Sequence, residues 1–463
     1  MTAPRPPRTP VRAPDHSAAA PLPVPTSPDH EVVALYGPDF AADPYSVYDR
    51  LREYGPLAPV EIAPGIGAML VTDYRAALEL LHDPETWSKD SRAWQATVPP
   101  DSPVLPMMGW RPNALVNDGE AHRRYRQVIT ESFSLIAPHE LREHTRQVAE
   151  ELISRFSSRG EADLMAEYAS KVPVLVFNRL FGLPDSYSDR LVTALCGMLD
   201  ATTPEEAVAA NEAFSAYIGE LIEAKREKRG ADLASWFMDH PAGLSPDELA
   251  SEIVVTMAAG HNPTTHLIGN ALARMLSDDR YYSTLSSGGL TPRDALHDVL
   301  RNDSPMSNLS PHFPTRDIFF HGTWLRAGQL VLVSYAAAST QHGRTAPGES
   351  AAAGGSGGGA HLAWAAGPHA CPVQNPALLI ATTAIERLTA WLSDIQLTVP
   401  HDELVWRHGP FHRGLVELPA GFTPITPDQA GVTPWSSPSS STPRDATSTA
   451  RRSASASWGP RPG

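Results

Sequence analysis

Only two cysteines, Cys196 and Cys371, occur in the 463 residues. They are far apart and in unlike settings, so no disulfide framework is expected and a reducing cytoplasm is the natural compartment. No run of about 18 apolar residues occurs, and the N-terminal MTAPRPPRTPVRAPDHS has no apolar core of signal-peptide length, so no membrane anchor is expected. Basic residues are in deficit, 37 against 52 acidic ones, for a net charge of −15. That balance argues against nucleic acid or an anionic lipid surface as a partner and favours small molecules or proteins. Phosphate loops of the GxxxxGK[ST] type, HExxH and paired CxxC are missing, and the glycines at 354–359 lack a strand–helix frame. His361, His369 and Cys371 have no evident fourth ligand nearby for zinc.

What is present is a long body of apolar-periodic segments between two biased ends. Residues 1–30 are rich in Pro and Ala, and residues 424–463 in Pro, Ser, Thr and Ala, so both are predicted disordered. Residues 31–423 read as one domain; AAAGGSGGGA at 351–360 reads as a slack loop, because the apolar pattern resumes at once with HLAW. The body is mainly helical. Over 143–159, Val148, Leu152, Ile153 and Phe156 share a face, with Gly160 as a stop. Ser245-Pro246-Asp247-Glu248 predicts a capping box at the start of a helix of roughly 30 residues, about 45 Å long. Strand-like runs are few: 67–73, 329–335 and 414–418. The predicted class is therefore mainly α with small β-sheets.

Cys196 lies among apolar helix formers and reads as buried and inert. Cys371 differs. The stretch HLAWAAGPHACP at 361–372 puts it in a tight loop just ahead of the helical run PALLIATTAIERLTAWL. Unpaired N–H groups and the positive dipole end of a helix favour a thiolate, and a thiolate ligates iron. Gly367 and Pro368 suit a sharp loop passing close beneath a flat cofactor. Taken alone, the competing reading is a structural cysteine in a turn.

The loop resembles the haem-binding loop of bacterial cytochromes P450: an aromatic residue, Gly, any residue, Gly, any residue, His, any residue, Cys, any residue, Gly. Trp364, Gly367, His369 and Cys371 match, while Ala365 and Val373 replace the first and last glycines. The resemblance spans nearly all of 31–423. DPYSVYDRLREYGP at 43–56 is similar to the family's N-terminal helix, and FHRGLVELPAGF at 411–422 to its C-terminal hairpin. NDGEAHRRYRQVITESFS at 117–134 resembles the helix whose side chains hold the haem propionates, which assigns that role to His122 and Arg126, four residues apart on one helical face. The resemblance implies the cytochrome P450 fold, with haem b ligated by the Cys371 thiolate.

Several positions depart from the family. Its long helix usually reads Ala-Gly-any-acid-Thr, the acid and hydroxyl managing proton delivery; here Ala259-Gly260-His261-Asn262-Pro263-Thr264 stands instead. Asn262 has no titratable proton and Pro263 neither hydroxyl nor N–H, leaving Thr264, Thr265 or a path through His261 as substitutes, and Pro263 predicts a kink costing about 3 kcal/mol. Asp298-Val-Leu-Arg301 stands for a Glu-x-x-Arg pair, and His312 stands where a propionate-binding arginine is usual. Arg344 is the one arginine left in the segment before the haem loop.

Two functions follow. The first is a soluble, monomeric, cytoplasmic actinobacterial-type monooxygenase that oxidises a small hydrophobic substrate with dioxygen and electrons from a ferredoxin and its reductase. Trp94, Val104, Leu105, Met107, Met108 and Trp110 would form an apolar lid, and His122, Arg123, Arg124 and Arg126 a basic docking stretch. The second is a haem-binding regulatory or sensing protein with little turnover, resembling divergent members encoded in conservon clusters.

Overall fold

The computed structural model describes residues 32–200, 204–278, 291–341 and 360–425. The two termini, the loop at 351–359 and Arg344 lie outside those residues.

Fifteen α-helices are assigned among the described residues. α1 (Pro38–Ala42), α2 (Pro44–Arg52) and α3 (Tyr74–His82) alternate with strands; α4 (Arg92–Gln95) and α5 (Leu105–Met108) are single turns. Then come α6 (Gly119–Ser134), α7 (Pro138–Phe156), α8 (Lys171–Leu180), α9 (Ser188–Asp200), α10 (Pro204–Glu227), α11 (Leu233–Asp239), α12 (Pro246–Leu276), α13 (Pro292–Asn302), α14 (Tyr335–Thr340) and α15 (Gln374–Trp391). The predicted capping box starts α12: Ser245 Oγ accepts the Glu248 N–H at 3.3 Å, and the Glu248 carboxylate accepts the Ser245 N–H at 2.7 Å. The helix runs 31 residues without a break, so Pro263 is accommodated inside it. Its neighbours hold it: α7, α8, α12, α13 and α15 share one apolar core, in which Val148, Leu152, Ile153 and Phe156 are buried as their spacing predicts. Gly160 has φ +81 but lies beyond the helix end at Phe156, where it opens strand β5 (Glu161–Asp163) instead of capping α7.

The sheets are small. A six-stranded sheet has the order β1 (Val33–Ala34), β2 (Leu57–Ala63), β3 (Ile66–Val71), β9 (Val331–Ser334), β6 (Asn308–Pro314), β4 (Trp87–Ser88). β7 (Ile318–Phe320) pairs with β8 (Thr323–Leu325), and β10 (Gln396–Leu397), β11 (Pro419–Gly421) and β5 form a third sheet. Two of the three expected strand runs match β3 and β9. The third, 414–418, makes only a bridge from Leu415 to Trp406, and the strand begins at Pro419. Around that bridge Arg407 N–H donates to Gly414 O at 2.9 Å and Val416 N–H to Val405 O at 2.8 Å, and Gly414 lies so close over the His266 ring that a Cβ has no room.

The β6–β9 ladder shifts register between Leu309 and His312, with Ser310 at φ 55. This bulge re-aims the side chains that follow it. The sheet and the helical core enclose the Cys371 loop from two sides: α3 backs it from the sheet and α15 leaves it toward the helices.

Candidate active site

The cysteine loop is built by its own backbone. Ala365 N–H donates to Leu362 O at 2.8 Å, Ala370 N–H to Gly367 O at 3.1 Å, and Cys371 N–H back to Trp364 O at 2.8 Å. Two residues take left-handed conformations, Ala365 at φ 57 and Gly367 at φ 68. Gly367 also lies against α3, where a Cβ would overlap the Leu81 carbonyl oxygen. Val373, by contrast, has φ −122, so the family's last glycine is not required here for backbone reasons. Ala365 stands where glycine is usual and carries the cost, about 1–2 kcal/mol. Ala365→Gly is therefore expected to raise stability by about 1 kcal/mol, net of the glycine's greater unfolded-state entropy, read as a higher midpoint in thermal unfolding.

Burial pushes the Cys371 thiol up, opposed by the Val373 N–H and the Arg126 guanidinium. The loop's anion preference is thus a contest that the enclosed protein alone loses; a cation at the sulfur would reverse it. Arg126 donates to the Ala370 carbonyl, one residue from the thiol. His122 stacks on His369 with ring centroids 3.9 Å apart. Its Nε2 is buried without a hydrogen-bond partner, and burial with the Arg126 charge lowers its pKa to about 4. His369 is likewise lowered, by burial and then the Lys89 charge. His312 is buried, donates through Nδ1–H to Ser310 O at 2.7 Å, and burial and Lys89 push it well below the usual imidazole range. The structure therefore brings His122, Arg126, His312, His369 and Cys371 into one neighbourhood.

Three further residues belong to it that sequence reasoning missed. Lys89 is buried beside Ser310, and Asp118 accepts from Ser88 Oγ at 2.6 Å and from the Lys89 backbone N–H at 2.8 Å. No local pattern in WSKDS at 87–91 marks its lysine as enclosed.

On α12, Ser251, Val255, Ala259, Asn262 and Pro263 form an accessible stripe along one side of the helix, next to half-buried Val254 and Ala258. Gly260 faces the other way, against Phe177 of α8, and Thr264, four residues on, shares that buried face. His261 also points away, with Nε2 3.1 Å from Ser170 O. Of the residues named for proton delivery, Asn262 and Pro263 line the stripe; Gly260 and Thr264 do not.

Other expectations need correction. Asp298 does not pair with Arg301. It binds Arg274 of α12, with Oδ2 2.5 Å from the guanidinium, and takes the Asn302 amide at 2.8 Å, while Arg301 Nε is buried without a partner among the described residues. The shorter carboxylate finds its arginine on the neighbouring helix, and along its own helix it meets Asn302, not Arg301. The basic stretch on α6 is not a uniform surface: His122 is buried, and Arg124 is held by Glu248 at 2.7 Å and by the Gly243 carbonyl at 2.8 Å. Of the lid residues, Trp94, Val104 and Met108 are packed in the core with Phe313, whereas Leu105 and Met107 are half-buried. Cys196 is half-buried, not fully enclosed.

The fold is that of the cytochrome P450 class. The chain is 30% identical over 396 residues to the cytochrome P450 monooxygenase PikC of Streptomyces venezuelae, covering 83% of this chain and 92% of that one. It is 28% identical over 399 residues to the vitamin D(3) 25-hydroxylase of Pseudonocardia autotrophica, with 84% and 96% covered. Among solved structures, the myxobacterial cytochrome P450 CYP267B1 in complex with myristic acid aligns at TM-score 0.73 and 26% identity, covering 84% of this chain and 98% of that one. CYP154C4 from Streptomyces sp. ATCC 11861 aligns at 0.76 and 27%, with 85% and 98% covered. No protein-family model matches the chain. The chain belongs to the cytochrome P450 family and is an oxidoreductase of the monooxygenase type. No helix among the described residues is long and apolar enough to cross a membrane.

Proposed function

We propose that this P450 holds haem b through Cys371 and oxidises a small hydrophobic substrate, with electrons from a ferredoxin and its reductase. The observation that carries the reading is the pairing of one thiol, presented by a backbone-locked loop, with an enclosed cluster of cationic and imidazole groups beside it. A flat cofactor with two carboxylates and a soft-ligand iron fits that donor set: Cys371 for the metal, and His122, with its unpartnered Nε2, and Arg126 for a carboxylate. Gly367, His369 and Trp364 shape the loop around it. Bound haem would supply the activation of dioxygen. The protein's own part is to bind, orient and exclude water.

The accessible stripe on α12, with Val255, Ala259 and Pro263, suits an apolar ligand, in keeping with relatives that hydroxylate vitamin D(3) or bind myristic acid. Arg123 is exposed on α6, a point of contact for an acidic electron carrier. The domain of 31–423 is proposed to act alone as a monomer in the cytoplasm. Nothing in the described residues favours the sensing reading.

The test is the spectrum of the reduced, carbon monoxide-treated protein. A Soret band near the red-shifted position of thiolate-ligated haem is expected in the wild type and its loss in Cys371→Ala; a wild type without that band sinks the reading. Proton delivery is separable. Asn262 offers an amide on the open stripe where an acid would serve, and positioned acids contribute on the order of 10²–10⁴-fold. With surrogate ferredoxin and reductase, Asn262→Glu with Pro263→Thr is expected to raise the fraction of consumed NAD(P)H recovered as product at least about tenfold over the wild type, with peroxide falling in step.

A further inference from the structure

Lys89 is 1% exposed, and its ammonium donates to Ser310 Oγ at 2.8 Å. An ammonium has three donors, and one neutral hydroxyl is poor compensation for taking it out of water. Burial pulls it down to about 7, only partly opposed by Asp118. Its charge is felt by His122, His312 and His369, each of which it pushes toward the neutral form. Lys89, Arg126 and three imidazoles thus converge where the nearby carboxylates are Glu252, on the Arg126 side, and Asp118, one of whose oxygens is taken by Ser88 and the Lys89 backbone while the other lies 3.9 Å from His369 Nε2. Such an excess of donors marks a place prepared for an anion.

Register explains how the lysine gets there. β4 pairs antiparallel with β6 through Ser88 and Phe313, so the next residue, Lys89, stands across from His312. At the bulge, His312 turns its Nδ1 back onto Ser310 O, while Lys89 reaches the hydroxyl of the same Ser310 from the neighbouring strand. We propose that Lys89 supplies the cation that holds a haem carboxylate, in place of the arginine whose position His312 occupies. The charge has moved one strand sideways, about 5 Å, and arrives at the same space. This rests on the reading that the site holds haem.

The experiment uses the full chain, loaded with haem, as wild type, Lys89→Met and Lys89→Arg. Haem loss is followed by transfer to excess apomyoglobin, and thermal unfolding is recorded for haem-loaded and haem-free protein. Lys89→Met is expected to lose haem about tenfold to hundredfold faster, the range for a charge-assisted bond, and Lys89→Arg to stay within a few-fold of wild type. Haem-free Lys89→Met should unfold at the same or a higher temperature than haem-free wild type, because it no longer buries a poorly paired ammonium. A lysine that only braced the fold would lower both midpoints and leave haem loss tied to them; that outcome, or unchanged haem loss in Lys89→Met, overturns the proposal. A wild type that takes up no haem removes the site reading itself and this inference with it.

Discussion

Gly367→Ala is expected to dismantle the cysteine loop, with a stability loss on the order of 2–5 kcal/mol and little haem retained. Two costs add. The residue sits at φ 68, where an L side chain is strained by about 1–2 kcal/mol. The new methyl would also overlap the Leu81 carbonyl oxygen at the end of α3, a backbone atom that cannot swing aside as a flexible side chain would. Relief requires the loop to lift from α3, and that lift breaks the Cys371 N–H to Trp364 O bond that aims the thiol. Gly322→Ala is the control: its φ is 89 but nothing lies within 4 Å of the added carbon, so only the conformational cost of about 1–2 kcal/mol is expected. Thermal unfolding and the haem-to-protein absorbance ratio of the two variants check this; equal losses would show that crowding against α3 is unimportant.

The second large effect concerns Asp298. Asp298→Ala is expected to cost about 3–5 kcal/mol, because it strands the Arg274 guanidinium, whose side chain is 8% exposed, without its counter-ion. Arg301→Met is expected to change stability by under about 1 kcal/mol, since its Nε has no partner among the described residues. Denaturant unfolding of both variants decides the matter. If Arg301→Met were the more damaging, the Glu-x-x-Arg geometry of the family would survive here despite the shortened acid.

Gly367 was legible because its requirement is local: a loop of about ten residues must turn, and only a few residue types turn that way. The capping box at Ser245 and Glu248 was legible for the same reason, the two partners being three residues apart. The Asp298 pairing was misjudged because spacing along one helix suggested Arg301, whereas the partner chosen, Arg274, belongs to a different helix 24 residues earlier. Asn262 and Pro263 were identified as altered, but their separation from Gly260 and Thr264 onto another face of α12 required knowing that Phe177 and Ser170 pack against the far side.

By itself the sequence determined the family, the tight loop around Cys371, the helix that follows it and the capping box of α12, since each is written in residues close together along the chain. The tertiary structure alone decided that Lys89 is enclosed and meets Ser310 across 221 residues, that His122 lies on His369, and that Asp298 belongs to Arg274. Those outcomes depend on strand register and helix packing, which bring together groups whose own neighbours in sequence carry no sign of the meeting.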